Sequence, residues 1–140
     1  MSDLARFVTA QADGFDRARA ELAAGRKRTH WMWWVFPQLR GLGRSETTRH
    51  YGIADLEEAR AYDRHATLGP RLHDCAALLL THPDTPIATI LGEVDALKSR
   101  SCATLFEAAA ADPAVFAEVL EVHHGGTRCT PTLTMLEDAR

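Results

Sequence analysis

The side chains with the clearest chemical potential lie in two polar stretches of the chain. The first, GRKRTHWMWWVFPQLRGLGRS at positions 25–45, places all three tryptophans beside a cluster of cations and a histidine. The second, DALKSRSCATLF at positions 95–106, carries a carboxylate, an amine and several hydroxyls within about three helical turns. Ligand pockets combine aromatic or apolar walls with a few convergent polar groups, so we expect the two stretches to form one pocket.

The cations of the first stretch indicate an anion site. Lys27 and its two neighbouring arginines precede a predicted helix start at Thr29. A helix N-terminus offers free N–H groups and partial positive charge, which suit an anion such as phosphate. Trp31 and Trp34 share one helical face and are expected in the core, whereas Trp33 points elsewhere, to stack on a planar ligand or to pack against another segment.

Further polar groups follow the tryptophans. Gln38 offers an amide, and the loop GLGRS lets the backbone approach a ligand closely and ends in the hydroxyl of Ser45. The glycines form neither a dinucleotide-binding fingerprint nor a Walker loop. Under the alternative interpretation, the tryptophans only anchor a core and the cations are solvated.

The second stretch is equally open to two interpretations. Asp95 and Lys98 are three residues apart, which permits a helical surface pair worth a few tenths of a kcal/mol. The functional interpretation directs both groups, with the hydroxyls of Ser101 and Thr104, toward a cleft. In either case we expect Lys27 and Lys98 to be surface cations whose removal costs little stability.

Metal and nucleophile motifs are absent from the sequence. The seven histidines and three cysteines show no metal-ligand spacing, and no G-x-S-x-G elbow is present, so we predict no metal and no cofactor. The odd number of cysteines favours reduced thiols and a cytoplasmic location. Cys75 follows an apolar helical face, which is typical of a buried and unreactive thiol.

Composition indicates an ordinary globular protein. With 140 residues, 46% hydrophobic and 25% charged, the chain fits a single domain over positions 1–140. Its net charge of −3 supplies no basic field, so nucleic acid is not an expected partner, and no apolar run is long enough to span a membrane. A monomer and a small homo-oligomer both remain open.

Helical periodicity dominates, which predicts an all-α, compact bundle of about seven short helices. The first helix is expected to be capped by Ser2 or Asp3 and ended by Gly25, with a close neighbour or a kink explaining Gly14. Asp55 is the predicted cap of LEEARAYDRH, in a capping box with Glu58. In the second polar stretch, one apolar side is expected to comprise Val94, Leu97, Ser101 or Cys102, and Leu105.

Together with YGI, EARAY, LGPRL and PTLTML, the two stretches resemble the DUF 1810 family, sometimes labelled calpastatin, from about Phe7 to Leu136. The resemblance implies a compact all-α bacterial-type domain and supplies no function. Calpastatin-like inhibition uses disordered segments, whereas this chain is patterned to fold. The family's motif positions correspond to Gly25, Lys27, His30, Trp31, Trp33, Pro37, Gln38, Gly41, Gly43, Ser45, Tyr51, Asp95, Lys98, Ser101, Thr104, Leu105 and Phe106.

The chain departs from the family pattern at three places. Ser99 stands where members usually have leucine, and Cys102–Ala103 replace a Ser-Met pair. Cys129 stands where an aspartate is expected, so no acid role is assigned to that position.

These residues predict a pocket for an anionic small molecule of nucleotide or ADP-ribose type. Lys27 and Lys98, with Arg40 as a further cation, would hold the anionic group, and Trp33 or Tyr51 would contact a planar group.

If the protein is an enzyme, hydrolysis or group transfer is the expected class, with Asp95 as general base or nucleophile and His30 as a second acid or base. The rival hypothesis is a non-catalytic protein-interaction domain, in which the same polar groups form a buried and mutually satisfied network.

Overall fold

Helices form the regular structure of residues 3–138, which this computed structural model describes. Across that range there are nine: α1 (Ala5–Ala24), α2 (Met32–Val35), α3 (Glu46–His50), α4 (Leu56–Arg64), α5 (Leu68–Leu80), α6 (Ile87–Leu91), α7 (Glu93–Ala109), α8 (Ala114–His124) and α9 (Thr130–Asp138). The predicted all-α class is confirmed, but the count of about seven was too low. Helix α3 escaped prediction because its five residues, ETTRH, carry no apolar periodicity.

Helix α7 is central to the packing, with α4, α6, α8 and α9 against it, while α1 packs on α2 and α5. One hydrophobic core cluster draws buried residues from Phe7 in α1 to Leu136 in α9. Its polar interruption on α1, Gln11, donates to the Trp34 carbonyl at 2.7 Å and to the Tyr62 hydroxyl at 3.2 Å. The amide therefore ties the tryptophan stretch to α4.

The ends of α1 agree with the sequence at one terminus only. Leu4 is the residue that precedes the helix, and no side chain caps it, so the prediction that Asp3 caps α1 is wrong. The alternative cap, Ser2, lies outside the described residues. Gly25 ends the helix with a φ of 81°, as expected for a residue without Cβ. A Cβ on Gly14 would lie 2.5 Å from Cη2 of Trp34, so the predicted close neighbour is confirmed.

The capping prediction at α4 is half right. The Asp55 carboxylate accepts from the Glu58 N–H at 2.9 Å, as predicted. The Glu58 carboxylate does not return to the Asp55 N–H, and it accepts instead from the Ala54 N–H at 3.0 Å and from the Arg6 guanidinium at 2.8 Å. The arginine of α1 thereby fixes the start of α4.

The predicted apolar side of α7 does not face the core in the N-terminal half of the helix. Val94 is 71% exposed and Leu97 is 58% exposed. The buried face instead carries the small residues Ala96, Ser99 and Ala103 at this level. Neighbouring helices pack on this second stripe, which leaves the first one facing outward.

The segment before α2 is not helical, because the helix begins at Met32 and not at Thr29. The one β-like feature within residues 3–138 is an isolated parallel bridge between Leu39 and Ile53. It places Gln38 beside the chain that follows Tyr51, since the Ile53 N–H donates to the Gln38 carbonyl at 2.9 Å. No described helix has the length and apolarity needed to cross a membrane.

Candidate functional site

A carboxylate of the protein itself fills the anion site that the sequence predicted at Thr29. Glu21 of α1 accepts from the backbone N–H groups of Arg28 at 2.7 Å and Thr29 at 3.0 Å. The Thr29 hydroxyl donates at 2.8 Å and the Trp31 indole N–H at 2.9 Å. We call Glu21 with residues 28–31 the Glu21 junction.

Electrostatics at the Glu21 junction favour the charged acid. Burial opposes ionisation of Glu21, but the hydrogen bonds from Arg28, Trp31 and Thr29 outweigh it and lower the pKa to about 2. Glu21 was not among the residues predicted from the sequence. One signal in the sequence could have identified it. Glu21 is an acid next to Leu22 on the apolar face of α1, and the hydrogen-bond donors of residues 28–31 follow closely in the sequence.

A second carboxylate joins the two polar stretches. Asp95 lies 3.0 Å from the Lys27 ammonium and 3.3 Å from the Lys98 ammonium. The lysine side chains are only 10% and 20% exposed, so the expectation that they are surface cations is wrong. Lys27 lies over the Trp31 ring at 5.4 Å and Lys98 over the Trp33 ring at 5.1 Å, which adds cation–π attraction.

A wide cavity lies between the 38–48 segment, the N-terminal half of α7 and the start of α9. Its volume is about 400 Å³. We call it the α7 cleft; its walls are formed by Gln38, Leu42, Gly43, Thr48, Val94, Leu97, Lys98, Arg100, Ser101, Cys129 and Pro131. Its size falls within the range of small-molecule sites.

A narrow slot adjoins the α7 cleft and shares Gln38, Thr48 and Lys98 with it. Trp33, Phe36, Tyr51 and Gly52 complete its lining. The slot holds only about 10 Å³, roughly enough for one water molecule. The aromatic side chains therefore surround little space, and the room for a ligand lies in the cleft.

The α7 cleft contains a cation without a partner. Within residues 3–138, the Arg100 side chain makes no ion pair, and its Nε is buried without a hydrogen-bond partner. Lys98 shares its one carboxylate, Asp95, with Lys27. The cleft thus has more positive charge than the neighbouring acid neutralises.

Cys129 contributes a thiol to the cleft wall. The Ser101 hydroxyl donates to its sulfur at 3.3 Å, and the residue directly precedes α9. Burial opposes ionisation, but the hydrogen bond from Ser101 and the charge of Arg100 lower the thiol pKa below its ordinary value. By contrast, burial raises the pKa of Cys75 to about 12, which confirms the predicted buried thiol.

Five of the predicted site residues line the cleft or its slot: Trp33, Gln38, Tyr51, Lys98 and Ser101. Two others, Lys27 and Asp95, stand behind Lys98 in the ion-pair chain.

The remaining predicted residues lie elsewhere. Ser45 caps α3 by accepting from the Thr48 N–H at 3.1 Å. Thr104 is buried; it donates to the Arg100 carbonyl at 2.8 Å and accepts from the Cys129 N–H at 3.0 Å.

His30 and Arg40 also lie away from the α7 cleft lining. His30 is exposed and borders a separate depression of about 250 Å³, which Asp13 and Arg17 also line. The Arg40 guanidinium donates to the carbonyls of Arg49 and Gly52, so its predicted role as a ligand cation has no support from its position.

Sequence analysis missed Arg100 as a cleft residue, although it lies inside the second polar stretch. Spacing does not reveal whether a helical cation has a partner, so no sequence signal distinguished it from its neighbours. Among residues 3–138, no group of three histidine, cysteine or acidic side chains is placed to hold a metal ion.

Fold and cleft together define a small all-α protein with a cation-lined cavity at its central helix. The family model that matches residues 1–136 is described as "Protein of unknown function (DUF1810)", and the chain belongs to this family. It is similar to a crystal structure at 1.38 Å described as the conserved hypothetical protein Rv1873 from Mycobacterium tuberculosis. The sequences are 47% identical, the match covers 96% of each chain, and the TM-score is 0.94. No curated protein matches the chain.

Proposed function

We propose that this protein binds an anionic small molecule in the α7 cleft. The observation that carries the proposal is Arg100, a cation on the wall of a 400 Å³ cavity whose buried Nε has no acceptor. A buried donor without an acceptor costs free energy, and an anion toward which the Arg100 guanidinium turns would remove that cost. Guanidinium groups bind carboxylate and phosphate through paired N–H donors, which identifies the ligand's anchoring group.

Lys98 and Gln38 supply the next contacts. Lys98 shares the carboxylate of Asp95 with Lys27, so the Lys98 ammonium retains N–H donors for a second acceptor. The Gln38 side chain makes no hydrogen bond within the described part of the chain and lines both cleft and slot. Nucleotides and ADP-ribose-type metabolites remain the first phosphorylated candidates.

A planar group of such a ligand would lie in the α7 cleft, not in the slot. The slot volume of about 10 Å³ is too small for a nucleobase, and Lys98 covers one face of Trp33. The predicted stacking on Trp33 or Tyr51 requires Lys98 to leave the ring. Leu97 and Pro131 offer an apolar wall without that movement.

Binding has more support than catalysis. Both carboxylate oxygens of Asp95 contact ammonium groups, so action as a base or nucleophile would disrupt two ion pairs. His30 borders a different depression from the one that Lys98 lines, which leaves the predicted acid–base pair without a shared cavity.

The rival, a non-catalytic interaction domain, has one specific observation in its favour. Ser45 and Thr104 are engaged in hydrogen bonds within the protein, as a structural network requires. A network does not account for Arg100, whose Nε it would leave unsatisfied. We therefore propose that the polar motif positions serve both in a structural network and in ligand binding. The α7 cleft is the proposed ligand site.

A thermal-shift screen tests the proposal. The panel comprises AMP, ADP-ribose, UDP-glucose, glucose 6-phosphate and inorganic pyrophosphate, each with the parent protein, Arg100→Gln and Arg26→Gln. A ligand at a hundred times its Kd adds about 2.7 kcal/mol of stability, so a true ligand raises Tm by several degrees.

Arg26 is the matched control, because it is exposed and belongs to the cation cluster that the sequence suggested. We expect the shift to disappear in Arg100→Gln and to persist in Arg26→Gln. A shift that is equal in all three proteins places the anion site outside the α7 cleft and contradicts the proposal.

A further inference from the structure

We infer that the ligand of the α7 cleft is an amphipathic anion, an aliphatic chain ending in one carboxylate or phosphate group. This inference rests on the proposed function and specifies the body of the ligand. It follows from the distribution of exposed apolar side chains, from their position relative to the cations, and from the volume they enclose.

Apolar exposure is concentrated at the cleft. Within residues 3–138, four large apolar side chains are substantially exposed: Val94 at 71%, Leu97 at 58%, Leu133 at 43% and Val122 at 40%. The two most exposed ones both line the cleft, next to Leu42 and Pro131. Exposed apolar groups that gather at one cavity indicate a site covered by an apolar partner.

The shape of the apolar wall favours an aliphatic chain. Leu42, Val94 and Leu97 are aliphatic, whereas the aromatic residues Trp33 and Tyr51 line the narrow slot. No aromatic side chain lines the wide part of the cavity, so a planar ring has no stacking partner there.

Apolar and cationic groups follow one another along α7. Val94, Leu97 or Lys98, and Ser101 are spaced three or four residues apart and share one helical face. The seven residues from Val94 to Arg100 span ~9 Å along the helix axis. A single extended molecule can therefore place its chain on Val94 and Leu97 and its anionic end at Lys98 and Arg100.

Cavity size selects a small molecule over a protein partner. The volume of about 400 Å³ suits one small ligand. A stable protein interface buries roughly 800 Å² on each partner, and two exposed apolar residues are a small basis for one. A second copy of the chain is the competing occupant that the experiment below examines.

Isothermal titration with acetate, butyrate, hexanoate, octanoate and octyl phosphate tests the inference, with octanamide as the uncharged control. Burial of each methylene group should increase affinity about fourfold. We expect octanoate or octyl phosphate to bind with the highest affinity, octanamide to bind at least tenfold more weakly, and acetate to give no heat. Preference between octanoate and octyl phosphate identifies the headgroup.

Three variants locate the chain and the headgroup. Leu97→Ser should weaken octanoate binding about tenfold, and Arg100→Gln should weaken it by at least the same factor. Val122→Ser is the matched control, because Val122 is an exposed valine of α8 that does not line the cleft, and it should bind as the parent does.

Each other outcome overturns a defined claim. If AMP or ADP-ribose binds, and only Arg100→Gln weakens that binding while chain length has no effect, the amphipathic inference is wrong and the proposed function stands. If no compound of either panel binds, both are wrong. If sedimentation shows a parent dimer that Leu97→Ser converts to a monomer, a second copy covers the cleft and the inference is wrong.

Discussion

The Glu21 junction and the α7 cleft have similar ingredients but opposite charge balances. At the Glu21 junction, one buried carboxylate accepts from two backbone N–H groups, a hydroxyl and an indole. At the α7 cleft, two lysines share Asp95 and the Nε of Arg100 has no acceptor. The first region is satisfied within the chain, whereas the second retains a cation without an acceptor, which is the basis of the proposed anion site.

The difference shows why clustered cations are a poor guide to a ligand site. Arg26 and Arg28 made the tryptophan stretch the obvious anion site in the sequence, yet both side chains are exposed and the local donors already bind Glu21. The proposed anion site rests instead on Arg100, a cation for which the tertiary structure supplies no acceptor at Nε. The two regions can therefore be compared with two variants. One removes the Glu21 acceptor from the Glu21 junction, and the other removes the Arg100 donor from the α7 cleft.

Loss of Glu21 should have the largest effect on stability. Glu21→Ala leaves the Trp31 indole and the Arg28 and Thr29 donors without their acceptor. Because each unpaired buried donor costs roughly 1–3 kcal/mol, we expect a loss of about 3 kcal/mol in urea unfolding. Glu118→Ala, an exposed glutamate of α8, is the control and should stay within about 0.5 kcal/mol of the parent. Equal effects would show that the junction is not a stabilising centre.

Acid should destabilise the protein through the same carboxylate. The Glu21 pKa of about 2 lies below the ordinary 4.5, so its contribution is present above pH 4.5 and is lost as pH falls toward 2. Burial and the nearby charges of Arg100 and His123 lower the pKa of His124 to about 4, so protonation of the unfolded state adds to the loss below pH 6.5. In urea unfolding between pH 7 and 3, Glu21→Gln should show a shallower decline than the parent. Parallel curves would refute the assignment.

Removal of Lys27 should have an intermediate effect. Lys27→Ala deletes a 10% exposed side chain that binds Asp95 and covers the Trp31 ring. We expect a loss of about 2 kcal/mol, above the range of exposed ion pairs. Arg26→Ala, its exposed neighbour, should melt as the parent does. If the two variants melt alike, Lys27 is a surface cation as the sequence suggested.

The smallest predicted effect is a difference in reactivity among the cysteines. It contrasts the thiol on the cleft wall with the two thiols in the core. Cys129 lines the cleft and has a lowered pKa, whereas burial raises the pKa of Cys75 and of Cys102. In mass spectrometry after iodoacetamide treatment, Cys129 should be modified first, and a compound bound in the cleft should slow that modification. Faster modification of Cys75 would contradict the placement of Cys129 on the cleft wall.

Local features of the fold were predictable because they depend on neighbours in sequence. Gly25 ends α1 with a positive φ, Asp55 caps the start of α4, and Gly14 marked a close contact. The rotation of α7 was not predictable, since the helix carries two apolar stripes and only its neighbours decide which one is buried. Val94 and Leu97 belong to the predicted apolar side, yet both are exposed, and their exposure makes the cleft apolar.

The candidate site was predictable in part for the same reason. Lys98, Gln38 and Ser101 were identified by type and position, and they line one cavity. Glu21 and Arg100 were missed because their roles depend on contacts that only the folded chain shows. Glu21 has hydrogen-bond partners there, and the Nε of Arg100 has none. Hydrogen-bond satisfaction is a property of the folded chain, and spacing in the sequence does not encode it.

The most direct test of the central claim is calorimetric titration of one compound into three proteins, using the compound of the two panels that binds the parent most tightly. If the α7 cleft is the anion site, Arg100→Gln weakens binding tenfold to a hundredfold, a loss of about 1.5–3 kcal/mol, while Arg26→Gln binds as the parent does. If Arg26→Gln loses the compound and Arg100→Gln retains it, the anion site is at the tryptophan stretch and the account given for the cleft is wrong.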